Sequence, residues 1–211
     1  MKTLFTLLLV SFLSQSAFSQ KIERWKEGRY YDLKGDRHDG LIFYDYHSSA
    51  IKFRETPESE NDRLRPWEVR AFVMEQDSFS ILKDFHYESP YGGRETEIMG
   101  FVQVLDTGFV KLYKHYATFR DQRNVAGPGA PGAALSWELE NYLLLSKGAK
   151  SPMLVWKKNT RKFREQMMRY FQKHPEFVSK IESGAYTWES IPLLIKDFNN
   201  YKNAIRSSGN P

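Results

Sequence analysis

Glu138 and Glu140 stand two residues apart beside Trp137, in a stretch that alternates like a strand, so both carboxylates share one face next to an aromatic ring. Paired carboxylates at a sugar-binding platform are the equipment of a glycoside hydrolase, one serving as acid and the other as nucleophile or base. The same spacing describes the solvated side of an ordinary strand, and the distance between the carboxyl groups decides between the two. Asp36, His38 and Asp39 crowd a second place with oxygen and imidazole ligands. Their spacing matches neither a calcium loop nor a zinc motif, and it is common turn composition. His38, His47, His86, His115 and His174 are dispersed, with no pair placed to put two ring nitrogens on one helical face. There is no Gly-x-Ser-x-Gly elbow, and the glycines of residues 127–132 lack the Gly-Lys-Ser/Thr sequel of a phosphate cradle. No residue is therefore assigned to catalysis, to a metal or to a cofactor.

Patterned charge occurs in one place, a basic helix read over residues 157–173. Lys158, Arg161, Lys162 and Arg169 are its candidate contacts to a polyanion, whether lipid head group, glycan or nucleic acid. The competing reading is a solvated helix whose apolar stripe, Phe163, Met167 and Phe171, packs on the rest of the protein.

The elements that must position these residues follow from periodicity. Aromatic and β-branched runs around Gly35-Asp36 predict a hairpin of residues 28–34 and 40–46, followed by a short strand at 50–54 and a polar loop at 56–65. Residues 68–74 and 79–85 form a second pair across a polar turn, and 87–95 read as a loop. A third hairpin, 98–105 with 109–116, reverses at Asp106-Thr107-Gly108, where glycine is expected to supply a positive φ. Apolar residues of its first strand fall on both parities, which predicts burial on both faces. The Gly/Pro/Ala-rich stretch within 120–134 is expected to connect rather than to pack. Strands at 137–145 and 153–156 follow.

After residue 157 the period shifts from two to about 3.6, which marks helices. His174-Pro175 ends the first, Gly184 ends a short second, and a third runs to about Ile205 with Pro192 tolerated in its first turn. Strands first and helices last give an α+β fold: an antiparallel sheet, roll or partial barrel over residues 20–156, with a helical part over 157–206 and a tail at 207–211.

The first 19 residues have the three parts of a cleavable signal: Lys2, an apolar run over residues 4–13, and Ala17 and Ser19 placed for cleavage before Gln20. The run is about half the length that a membrane span requires, so no transmembrane segment is expected once it is removed. With Cys at 0, disulfides, thiolate metal sites and thiol catalysis by this chain are excluded. A secreted eukaryotic domain would commonly be stapled by disulfides or carry an Asn-x-Ser/Thr acceptor, so an exported bacterial protein is the more economical reading. Loss of Lys2 takes the formal charge from +5 to +4, a mild excess that permits anionic partners without requiring them. Aromatic content of 15% lies mainly in the strand-like segments, which points to sheet packing before ligand stacking.

Gly28-Arg29-Tyr30-Tyr31-Asp32-Leu33-Lys34-Gly35-Asp36, then Gly40-Leu41-Ile42, Ile51-Lys52-Phe53 and Pro66-Trp67-Glu68-Val69 form one recognisable series. Phe171-x-x-His174-Pro175-Glu176 and Leu194-Ile195-x-x-Phe198-Asn199 form another near the end. Together they resemble a group of uncharacterised exported proteins of Bacteroidetes. The resemblance implies a cell-envelope location, in the periplasm or at the outer surface, and carries no activity or cofactor. The expectation is a non-enzymatic protein that binds or assembles with an envelope protein or glycan, without specific nucleic-acid recognition. A hydrolase using Glu138 and Glu140 and a polyanion-binding basic helix are the alternatives.

Overall fold

The computed structural model describes residues 24–46, 48–89, 93–121, 135–157 and 160–208, with side chains omitted at 118–121 and 135–138. Residues 1–23, including the stretch read as a signal, and residues 122–134 lie outside it. Ten strands form one antiparallel sheet: β1 Lys26–Asp32, β2 Arg37–Phe43, β3 Ile51–Arg54, β4 Asp62–Leu64, β5 Val69–Met74, β6 Asp77–Glu88, β7 Arg94–Thr107, β8 Val110–Asp121, β9 Leu135–Ser146 and β10 Met153–Val155. Helices α1 Thr160–Tyr170, α2 Pro175–Glu182 and α3 Ile191–Ser208 follow. The α+β class and the order of strands and helices match the sequence reading. No described helix is long and apolar enough to cross a membrane.

The strand order β10-β9-β8-β7-β6-β5-β1-β2-β3-β4 separates β4 from β5 by three strands, yet only residues 65–68 connect them. On a flat sheet the gap would be about 19 Å. A turn in which Glu68 donates its N–H to the Arg65 carbonyl at 2.9 Å shortens the link further, so the first five strands must curl. The curl encloses Ile42, Ile51, Phe53, Phe72, Phe79 and Phe101. Gly28 and Gly40, paired across β1 and β2, make it possible: a Cβ on either would lie 2.4 Å from a backbone oxygen, of Val73 or of Arg54.

The long strands coil a second time. β10 returns beside β6, where the buried Glu88 accepts the Lys157 N–H at 3.2 Å and donates its own backbone N–H to Asn141 Oδ1 at 2.9 Å. Phe85, Val102, Tyr113, Leu143 and Leu154 fill this coil. The opposite face of β8, β9 and β10 carries the helices through Leu112, Tyr142 and Leu144 against Phe163, Met167, Phe171, Ile195 and Phe198. Both parities of β7 are buried at mid-strand, with Phe101 in the first core and Val102 in the second, whereas Ile98, expected to be covered, is 75% exposed.

Four expectations need correction. The polar segment 56–65 contains an edge strand, β4, whose Asp62 and Arg63 suit a solvated edge and pair with β3. β6 runs on to Glu88 and β7 starts at Arg94, so much of the loop read over 87–95 is strand. Tyr44 and Tyr46, read as the end of the second strand, lie beyond its last residue, Phe43. Gly108 does not adopt a positive φ. Glycine stands there because a Cβ would lie 2.4 Å from the carboxamide of Asn199 on α3.

Candidate functional site

β7 and β8 pair over a short length only. The ladder joins residues 103–107 to 111–114 and contains a bulge between Val104 and Asp106. Towards Arg94, β7 stays with β6; towards Asp121, β8 stays with β9. Two hairpins thus share a root and part, and a cavity of about 170 Å³ lies in the fork.

Each prong contributes by strand alternation. Tyr113, His115 and Ala117 fall on one buried parity of β8, while Glu97, Met99 and Phe101 share a parity of β7. Tyr87 reaches in from β6, and Tyr44 and Tyr46 from the chain after β2. That chain leaves the sheet in a turn closed by Ser48 N–H donating to the Asp45 carbonyl at 2.7 Å. Tyr44 then drops edge-on among Phe72, Phe79 and Phe101, at centroid distances of 5.3, 5.4 and 5.6 Å. Its neighbour Tyr46 lies 4.2 Å from the Tyr116 ring.

The electrostatics are those of a low-dielectric phenol cluster. Burial, aided by Tyr46, Asp45, Tyr116 and Glu97, pushes the Tyr44 hydroxyl far above the usual phenol range. Burial and donation to Glu95 Oε2 at 2.7 Å do the same for Tyr87. The Glu97 carboxyl is also raised by burial, against a smaller opposing effect of the Met99 N–H. His115, 8% exposed, sits edge-on to Phe85 at 4.9 Å, and its Nδ1 has no hydrogen-bond partner among the described residues. Burial holds its pKa down to about 4, so the imidazole is neutral at physiological pH.

A pH effect on stability follows with definite sign. The folded pKa of His115 lies below the unfolded value of 6.5, so its neutral form supports full stability above that pH. Stability is lost as the pH falls from 6.5 towards about 4, by about 3 kcal/mol for a shift of that size. Denaturant titrations at pH 7 and pH 4 should show this loss in the wild type and a clearly smaller one in His115→Phe. Equal losses in both proteins would contradict it.

A catalytic reading of the same residues requires a base held in register by a third group. Nδ1 of His115 has neither a hydroxyl nor a carboxylate on it. The features present are phenol hydroxyls, one raised carboxyl and a neutral imidazole around a concave space.

The residues singled out in the sequence lie elsewhere. Glu140 on β9, 40% exposed, is 3.3 Å from Lys114 Nζ on β8, and the side chain of Glu138 lies outside the described residues. The turn spans residues 32–36, with His38 and Asp39 already on β2, and Asp32 is its organising carboxylate, accepting the N–H groups of Lys34, Gly35 and Asp36 at 2.8–2.9 Å. Asp39 is bound by Arg37 and His38 stacks on Tyr30 at 4.5 Å, and no set of three metal-ligating side chains converges among the described residues. Lys158 lies outside the described residues, and Arg161 pairs with Glu165 on its own helix at 2.7 Å. Lys162 and Arg169 line an open groove of about 610 Å³ with Arg94 and Trp156, and Glu165 shares it. The Arg94 guanidinium lies 4.4 Å over the Trp156 ring.

Tyr44, Tyr87, Glu97 and Tyr116 were not singled out as site residues, and His115 was noted only as one of five dispersed histidines. A usable signal was present: a histidine on the inward parity of a strand, between Tyr113 and Ala117, is an unusual core residue. Compared with family models, curated proteins and solved structures, the chain finds no match in any of the three.

Proposed function

We propose that this is an exported cell-envelope protein of bacterial type that acts by binding rather than by catalysis, with the cavity between the β6–β7 and β8–β9 hairpins as its ligand site. The signal-like first 19 residues and the resemblance to exported Bacteroidetes proteins motivate the location. The unpartnered Nδ1 of buried His115, in a cavity rich in tyrosine, carries the binding reading. An unsatisfied buried polar group costs about 1–3 kcal/mol, which a hydrogen bond from a ligand recovers.

Thermal denaturation of the mature chain against neutral monosaccharides, small carboxylates and small organic cations tests this reading, with Ala117→Leu as the cavity-filled control. At least one class is expected to raise the Tm of the wild type and not that of the control. Should no class do so, or should the filled variant respond equally, the cavity is not a ligand site. Cell fractionation tests the location: recovery outside the cytoplasm without residues 1–19 is expected, and full-length cytoplasmic protein overturns it.

A second reading, recognition of an acidic glycan, is favoured by the convergence of Arg94, Lys162 and Arg169 around Trp156. In the same experiments it has a separate signature, retention on heparin that falls steeply with salt and is weakened by charge reversal at Lys162 and Arg169.

A further inference from the structure

Resting on the cavity as the ligand site, we infer that its ligand presents an organic cation, an alkylammonium or quaternary ammonium group, to Glu97 and the surrounding tyrosines. Among the described residues, the lining of the cavity contains one carboxylate and no lysine or arginine, although the chain as a whole carries a formal charge of +5. The carboxylates that act on Tyr44, beside the phenols of Tyr46 and Tyr116, are Asp45 and Glu97, and those that act on Tyr87 are Glu95 and Glu97. The field in the fork is therefore negative from two sides. His115 adds no positive charge to offset it, because burial keeps the ring neutral.

The rings supply the second attraction. Tyr46, Tyr116, Tyr87 and Phe101 all border the space, and an aromatic face attracts a desolvated cation. Lys114 illustrates this on the same strand, its ammonium lying 5.5 Å from the centre of the Tyr116 ring while it pairs with Glu140 at 3.3 Å. That cation is already neutralised by its partner. Glu97, half-buried without a cation in the lining, has no such compensation, and a bound ammonium would supply it. An anionic ligand would meet Glu97 with no lysine or arginine of the described lining to oppose it.

The decisive measurement is calorimetric titration of the mature chain with choline and with butylammonium, each against its uncharged counterpart, the carbon isostere of choline and butanol. The charged member of at least one pair should bind about tenfold or more tightly, the scale of one cation–π contact with charge assistance. Glu97→Gln should remove about that tenfold preference and leave the binding of the uncharged member unchanged. Tyr116→Leu, read alongside, should weaken the cation selectively while its thermal melt reports whether the fold survives.

Equal binding of charged and uncharged members, or a preference that persists in Glu97→Gln, overturns the cation inference. Stabilisation by a neutral monosaccharide with no response to either cation overturns it too, and leaves the cavity standing as a ligand site. If no probe of any class binds, the inference and the ligand-site reading fall together.

Discussion

A chain ending at Trp156 is expected not to fold, despite retaining all ten strands. The helices cover the outer face of β8, β9 and β10, where Val110, Leu112, Tyr142, Leu144 and Val155 are each at most 5% exposed. Uncovering five such side chains costs about 10 kcal/mol at about 1.5–3 kcal/mol each, which is comparable to the entire stability of a domain of this size. The helices have an equal need of the sheet. Isolated helices of this length are marginal in water, and the apolar stripe of α1 has its partners on β8 and β9. Expression of residues 20–156 should therefore give aggregated or molten material by circular dichroism and sedimentation, and refolding on addition of the helical segment is not expected to be efficient. A soluble, cooperatively melting 20–156 fragment would show instead that the sheet is an independent domain.

The second large effect is expected at Asn199. Its carboxamide enters the β7–β8 turn from α3 and satisfies both backbone groups of Val110, accepting the N–H at 2.9 Å and donating to the carbonyl at 2.9 Å. The same Nδ2 donates to Asp106 Oδ1 at 2.6 Å, which in turn accepts the Gly108 N–H at 2.8 Å. Asn199→Leu keeps the branching of the side chain and deletes the three bonds that the carboxamide makes. Two buried backbone groups and a carboxylate lose their partner, at about 4 kcal/mol in total.

Gly108→Val should destabilise through the same contact from the other side, because its Cβ would occupy the space of the Asn199 carboxamide. The two substitutions should be less than additive, since either one alone displaces α3 from the turn. Chemical denaturation of the two single variants and the double variant measures the coupling. Full additivity would mean that Asn199 and the turn do not act as one latch.

The latch explains a residue that pattern reading noted without a role. Asn199 closes the Leu194-Ile195-x-x-Phe198-Asn199 pattern, and on periodicity alone a buried asparagine on the apolar face of a helix reads as a defect. Its partner groups are 89 residues away in the chain, so the reason for it exists only after α3 docks. Gly108 is the complementary case. The sequence correctly places a turn there, but the reason for glycine is a contact from α3 and not the dihedral that a tight turn would demand.

Local chemistry determined a large part of this protein before any tertiary contact was known. The aromatic and β-branched runs over 98–105 and 109–116, the 3.6 period after 157 and the breaks at His174-Pro175 and Gly184 placed strands and helices close to where they lie, because each depends on neighbours a few residues away. What the tertiary structure alone decided is where the sheet splits. Strand pairing is non-local, and the end of the β7–β8 ladder at Gln103 and Lys114 is set by the competing claims of β6 and β9, not by any feature of those residues. The cavity follows from that split, gathering Tyr44, Tyr87, Glu97 and His115 from segments whose individual patterns show only half-buried strands. By the same logic Lys162 and Arg169 acquire Arg94 and Trp156 as neighbours, since side-chain spacing along one helix carries no information about the strand packed beside it.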